Sequence, residues 1–243
     1  MSNKFIVIVP VYNSSCYIAK CLDSIVYQDF KDYTITIVDD SSSDKTFDIA
    51  LSYSCDNRIK FIRNKHHVGS PLYSTVEAIK NSSIDKDDII VTVDGDDYLY
   101  DNNVLKYLDE IYKNNDVWMT YGQYIPLSNE YKDLCRQLED ARNYRKSAAW
   151  FVSHLRTFKK KLWDMIEDKD LRSPDGEYFK VAGDAAYLYP MIEMCGLKRM
   201  KFIDKILYVY NDLNSSNEMK IYLQEQRDTA QYIRNKEEYK ECI

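Results

Sequence analysis

The sequence predicts an α/β fold with a mostly parallel central sheet flanked by helices. Two observations carry that reading. Short apolar runs rich in β-branched residues recur through the first half of the chain, and stretches of helical length separate them. Polar clusters directly follow three of those runs, and in a parallel sheet the ends of the strands share one edge. At 243 residues the chain is long enough to bury the core such a sheet needs.

Phe5–Val9 is the first predicted strand, with a helix from about Ser14 to Gln28 after it. Thr34–Val38 is the second strand and Asp44–Ser54 the second helix. Ile59–Ile62 leads into a helix near Pro71–Lys80, and Ile89–Val93 into one near Asn102–Lys113. Each run is too short for a helix and bears the branched side chains that suit a pleated surface. Val117–Tyr121 is a fifth strand, and beyond Pro126 the alternation stops. Val181–Cys195 reads as a helix entered at Gly183-Asp184, and Met200–Ile203 and Ile206–Tyr210 as two short strands. The polar tail from Met219 carries a thin stripe of Tyr222, Gln226, Ala230 and Ile233, the mark of a surface or packing helix.

Composition narrows the function classes. Hydrophobic residues at 45% against 30% charged describe a globular chain. A net charge of −6 argues against a nucleic-acid binder that works by neutralising phosphates. Cys16, Cys21, Cys55, Cys135, Cys195 and Cys242 form no C-x-x-C pair and no Cys/His zinc spacing, so they read as structural thiols in a reducing compartment. Phe5–Val9 is too short for a signal peptide, and no run approaches the ~20 apolar residues of a membrane helix. A soluble, cytosolic protein is expected. Ala141–Trp163 holds seven Lys/Arg and no acid, which is either a solvated face or a positive wall over an anionic ligand.

Chemistry concentrates at Asp94-Gly95-Asp96-Asp97, where the run Ile89–Val93 ends. In extended chain, side chains at i and i+2 point the same way, so Asp94 and Asp96 are expected side by side. Carboxylates that close repel unless a cation sits between them. Mg²⁺ or Mn²⁺, which takes one or two carboxylates plus substrate phosphates, answers that need. An EF-hand fails, because Tyr98 and Leu99 stand where its loop needs a ligand and a glycine. A dinucleotide-binding reading fails for want of G-x-G-x-x-G after the first strand. A phosphatase-type Asp nucleophile would need a Lys and further acids after later strands, and no clear candidates occur. In the second cluster, Ser43 or Asp44 caps the next helix, which leaves Asp39 and Asp40 unexplained. An Asp at that strand end suits a base N–H such as uracil's.

Ile6-Val7-Ile8-Val9-Pro10-Val11-Tyr12-Asn13, Ile37-Val38-Asp39-Asp40-Ser41-Ser42-Ser43-Asp44 and Val91-Thr92-Val93-Asp94-Gly95-Asp96-Asp97, in that order, resemble the signature of family 2 glycosyltransferases of the GT-A (nucleotide-diphospho-sugar transferase) fold. The likeness is close over residues 4–125. It implies a nucleotide-sugar-binding half over 1–125, an acceptor and base half over 126–215, and a helical tail over 216–243. It implies that Pro10, Tyr12, Asn13, Asp39 and Asp40 line the nucleotide pocket, with Tyr12 against the base and Asp40 on its N–H edge. Asp94 would approach the ribose and, with Gly95, the donor, and Asp94, Asp96 and Asp97 would hold Mn²⁺ or Mg²⁺ on the diphosphate.

The family's general base is an acid opening a helix in the second half, which here is Asp184, with Gly183 where a second acid is usual. The family's Arg–Asn pair is not reproduced at Tyr73-Ser74-Thr75, so Lys65 or Arg63 is assigned to the nucleotide instead. Ser153–Phe158 and Leu207–Asn211 resemble segments of a branch found in giant DNA viruses, some of whose relatives are linked with collagen-type glycosylation; His154, within the first segment, is assigned as a substrate contact. Trp150 and Trp163 would stack on a sugar or pack in the core. The implied activity is metal-dependent, inverting transfer of a hexose, glucose or galactose, from a UDP-sugar to a glycan hydroxyl or a hydroxylysine. A sugar-phosphate nucleotidyltransferase and a catalytically silent nucleotide-sugar-binding protein are the alternatives. Oligomeric state stays open, a homodimer included.

Overall fold

The computed structural model describes residues 3–114, 116–128, 130, 135–147, 150–214 and 222–242. Its first half runs β1 (Phe5–Val11), α1 (Ile18–Val26), β2 (Tyr33–Asp39), α2 (Thr46–Leu51), β3 (Ile59–Arg63), α3 (Pro71–Lys80), β4 (Ile89–Thr92), β5 (Tyr98–Leu99) and α4 (Val104–Asn114). The second half adds β6 (Met119–Pro126), β7 (Thr157–Lys159), α5 (Lys160–Asp164), α6 (Gly183–Cys195), β8 (Met200–Tyr210) and α7 (Leu223–Arg234). Short 3-10 turns cover Arg145–Ser147 and Asp168–Leu171.

The eight strands form one sheet in the order β3-β2-β1-β4-β7-β6-β8-β5. β1 pairs in parallel with β2 and β4, β2 with β3, and β6 with β8. Only β7, wedged between β4 and β6, and the edge strand β5 run the other way. The sheet is therefore mostly parallel.

Alternation along β1 explains why both faces are covered. Ile6 and Ile8 enter a core shared with α3 and α6, while Phe5, Val7 and Val9 enter a second core shared with α1 and α4. Ile18, Cys21, Leu22 and Ile25 of α1 are buried at helical spacing, which docks that helix on the sheet. α6 is buried from Ala185 to Cys195, as a helix apolar all round must be.

Several predicted bounds shift. α1 begins at Ile18, because residues 14–17 form a turn closed by Tyr17 N donating to Ser14 O, 2.9 Å. α2 begins at Thr46, where Asp44 Oδ1 accepts the Thr46 amide at 2.9 Å. The two short strands near residue 205 are one strand, β8, bulged against β6 around Gln123. β5 and β7 were not predicted: two or three residues carry no measurable periodicity. The first residues of the predicted tail lie outside the described residues, while Leu223–Arg234 is helical as expected.

Candidate active site

The ends of β1, β2 and β4 interlock. Gly95 N donates to Pro10 O at 3.1 Å, Asp40 N to Val11 O at 2.9 Å, and Asn13 N to Ser42 Oγ at 2.9 Å. Asn13 sits in the left-handed region at φ 45°, which its short polar side chain tolerates, and its Oδ1 accepts the Ser43 amide at 2.9 Å. The three polar clusters meet along one rim of the sheet.

The Asp94–Asp97 segment departs from the extended reading. β4 ends at Thr92, and Asp97 N donates to Asp94 O at 2.9 Å, closing a β-turn. A turn of this kind brings residues i and i+3 together, so Asp97 joins Asp94, with Asp96 still near enough to repel both. Gly95 is required at the turn: a Cβ there would lie 2.6 Å from Val11 Cγ2. Asp96 instead accepts a hydrogen bond from Asn214 Nδ2 at 2.7 Å.

His154 completes the cluster. One ligand atom each from Asp94, Asp97 and His154 lie within 4.8 Å of one another. Its ring is stacked on Tyr208 (centroids 4.7 Å, planes 7° apart) and Tyr210 (5.7 Å, 20°), with Tyr124 edge-on at 5.9 Å. Tyr208 also donates to Asp97 Oδ2 at 2.7 Å, and Asn211 N donates to Oδ1 at 2.7 Å. Burial, and then repulsion from Asp96, raises the Asp94 carboxyl to about 6; burial and both neighbours raise Asp97 well above the usual carboxylate range. Burial and nearby Arg156 hold His154 neutral. Crowded, uncompensated carboxylates beside a neutral imidazole are a donor set that fits a divalent cation. Of the residues expected to hold the cation, Asp94 and Asp97 meet here with His154, and Asp96 stands outside that group of three.

Asp184 opens α6, where the helix dipole favours a negative charge. Its side chain is 32% exposed, and its Oδ2 lies 2.9 Å from Nη1 of Arg156. Gly183 is tightly packed: a Cβ on it would stand 2.8 Å from Leu72 Cβ. That close approach of α6 to α3 explains why no acid occupies position 183.

On the nucleotide side the outcome is mixed. Tyr12 is 42% exposed at the rim, its ring stacked on His67 at 3.8 Å and 18°. The Asp40 carboxylate does not open to solvent. It accepts from Asn64 Nδ2 (2.6 Å), Val68 N (3.0 Å) and Gly69 N (2.8 Å), and meets His67 Nδ1 at 2.8 Å. Those donors fill its acceptor capacity, so in this structure Asp40 holds the 64–69 loop. Asp39 is fully buried, its Oδ2 against Ser42 N (3.2 Å) and Arg63 Nε (3.2 Å) and its Oδ1 without a hydrogen-bond partner. Lys65 is exposed, with no hydrogen bond or ion pair among the described residues.

The basic run at 141–163 is neither a solvated face nor a continuous wall. Arg145 forms a buried pair with Glu193 and Arg156 pairs with Asp184, while Lys146 and Lys161 reach Glu238 and Asp87. Sequence reading did not single out Arg156 or Tyr208, which contact Asp184 and the Asp97–His154 pair. Their signals were membership of the segments 153–158 and 207–211 and, for Arg156, of the basic run 141–163.

Residues 6–168 match the model of glycosyl transferase family 2. The chain belongs to that family. This family 2 chain is 35% identical over 123 residues to a poly(ribitol-phosphate) beta-glucosyltransferase of Bacillus spizizenii, covering 49% of this chain and 19% of that protein. It is 25% identical over 225 residues to the uncharacterized glycosyltransferase EpsJ of Bacillus subtilis, covering 85% and 60%. The chain therefore spans less than two thirds of these curated relatives. Among solved structures, Staphylococcus aureus TarS 1–349 in complex with UDP-GlcNAc superposes with a TM-score of 0.69 at 23% identity, over 89% of this chain and 60% of that one. A mannosyltransferase from Pyrobaculum calidifontis, in complex with GDP-Man and Mn²⁺, gives 0.65 at 18% identity, over 98% and 66%. These likenesses establish the GT-A fold of the family 2 chain. No helix among the described residues is long and apolar enough to cross a membrane.

Proposed function

We propose that this chain transfers a hexose, glucose or galactose, from a UDP-sugar to an acceptor hydroxyl with inversion. The observation that carries the reading is the meeting, at one rim of the sheet, of the Asp94–Asp97–His154 cluster with an acid at a helix entrance, Asp184. The fold neighbours with bound UDP-GlcNAc or GDP-Man support a nucleotide-sugar donor.

Asp94, Asp97 and His154 would hold the cation, and an imidazole among oxygen ligands favours Mn²⁺ over Mg²⁺. Bound there, it would neutralise charge on the departing diphosphate. Tyr208 orients Asp97 through its hydroxyl and braces His154 with its ring. Asp184 accepts the acceptor's proton as that oxygen attacks the anomeric carbon from the face opposite the diphosphate, help worth ~10²–10⁴ in rate. Tyr12 offers an exposed aromatic face for the base, and Asp40 shapes the adjoining loop. The acceptor is a glycan hydroxyl or a hydroxylysine on a collagen-like protein.

The test is a panel of sugar nucleotides scored for nucleoside diphosphate release, with Mn²⁺ and with EDTA. Mn²⁺-dependent release from a single UDP-hexose is expected. Release that is indifferent to EDTA overturns the cation assignment, and release from no sugar nucleotide overturns the activity.

A further inference from the structure

Arg156 is the buried charge of the crevice that the proposed reaction leaves unused. The residue is 6% exposed, and its only ion pair among the described residues is with Asp184. Its Nε–H is buried without a hydrogen-bond partner. A guanidinium offers five donors in a planar fork that matches the oxygens of carboxylates and phosphates, and a dry, unpaired donor on a cation is costly. Asp94 also lies within reach of its charge, which works against the forces raising the Asp94 carboxyl. Arg156 therefore addresses both the carboxylate cluster and the acid opening α6.

We infer that Arg156 is an exchangeable clamp: in the empty crevice it neutralises Asp184, and with a nucleoside diphosphate in place it turns its donors onto phosphate oxygens and frees Asp184. This deepens the proposed glycosyl transfer and rests on it. While Arg156 holds it, the Asp184 Oδ2 lies 2.9 Å from Nη1 and is engaged rather than open to an acceptor hydroxyl. Transfer of the guanidinium to the diphosphate opens that oxygen only after the donor has arrived. The acceptor oxygen then bonds to the anomeric carbon and its proton passes to Asp184. The bond from that carbon to the diphosphate oxygen breaks, with its electron pair staying on the leaving group beside Arg156. Donor binds first and acceptor second.

A double-mutant cycle on UDP affinity, measured calorimetrically with Mn²⁺ present, tests the clamp. Asp184→Asn removes the competitor for the guanidinium, so UDP binds at least ~5-fold more tightly, the low end of a typical coupling between sites. Arg156→Gln weakens UDP binding at least tenfold, and the double variant matches Arg156→Gln. Arg156→Lys, which keeps charge without the fork, falls between the parent and Arg156→Gln and guards against a buried variant that fails to fold. An arginine that is only structural gives the opposite sign, because losing Asp184 strands a buried charge and loosens the site. Unchanged or weaker UDP binding by Asp184→Asn, in a parent that transfers sugar, overturns the clamp and spares the proposed function. A parent that binds no nucleoside diphosphate and cleaves no sugar nucleotide overturns both.

Discussion

Replacing Arg145 by Met would test what holds α6, and with it Asp184, in place. Arg145 Nε and Nη2 donate to the two oxygens of Glu193 at 2.6 and 2.7 Å, with side chains only 2% and 4% exposed. Arg145 Nη1 also donates to Ile233 O at 3.2 Å, and Tyr239 N donates to Glu193 Oε2 at 2.9 Å. One ion pair thus ties α6 to the carboxyl-terminal segment. Removing the cation leaves a buried carboxylate with a single donor, a change that costs ~3–5 kcal/mol. For a domain of this size each kcal/mol lowers Tm by ~2–4 °C, so a fall of about 6–20 °C follows.

The pH dependence fixes the cause. Burial already raises the Glu193 carboxyl, with the Arg145 bonds working against it, so Arg145→Met raises it further. A carboxyl whose folded pKa lies above its unfolded one favours the native state most when protonated. That stability is lost as pH rises through the folded value. The deficit of Arg145→Met is therefore smaller at pH 5 than at pH 8, and Arg145→Met/Glu193→Leu recovers most of it. Thermal melts at both pH values, with amide exchange over residues 223–242, would show this. A single variant melting within about 2 °C of the parent at pH 8, or a double variant no more stable than the single, would refute the reasoning.

Asp184→Asn should cut sugar transfer by about 10²–10⁴ with the fold intact; equal transfer rates would remove Asp184 from the mechanism. Mn²⁺ at ~100 times its Kd should stabilise the parent by about 2.7 kcal/mol in a thermal melt and leave His154→Ala and Asp97→Asn unmoved. Gly183→Ala should cost ~1–3 kcal/mol, since its Cβ would press on Leu72 Cβ, a backbone-proximal atom that cannot swing aside.

What was legible in the sequence followed from short-range rules. β1 to β4 announce themselves as branched apolar runs, and α3 was bounded correctly because Ser70, whose Oγ accepts the Tyr73 amide, and Pro71 mark its start. Parallel topology then brought the three polar clusters to one rim. Long-range partners were not legible. The fate of Asp40 depends on a loop some 25 residues on, and Asp97 is held from Tyr208 and Asn211 across the sheet. The basic run dissolved into separate pairs because β7 inserts antiparallel beside β4 and delivers Arg156 toward α6.

The choice between strand and turn at Asp94 decides more than which carboxylates are neighbours. Had β4 continued, Asp94 and Asp96 would project from an exposed tip, free to separate in solvent. The turn folds Asp97 back under β8, where it is 1% exposed and held by two donors that cannot satisfy its charge. Its carboxyl is then confined near Asp94 and His154, where no water screens a charge. A cation proposed for such a site would find its ligands already gathered, the fold having met the cost of bringing them together. The same reasoning explains why Arg156 is sequestered a short distance off, paired with Asp184: closer in, it would quench the negative field that a cation needs.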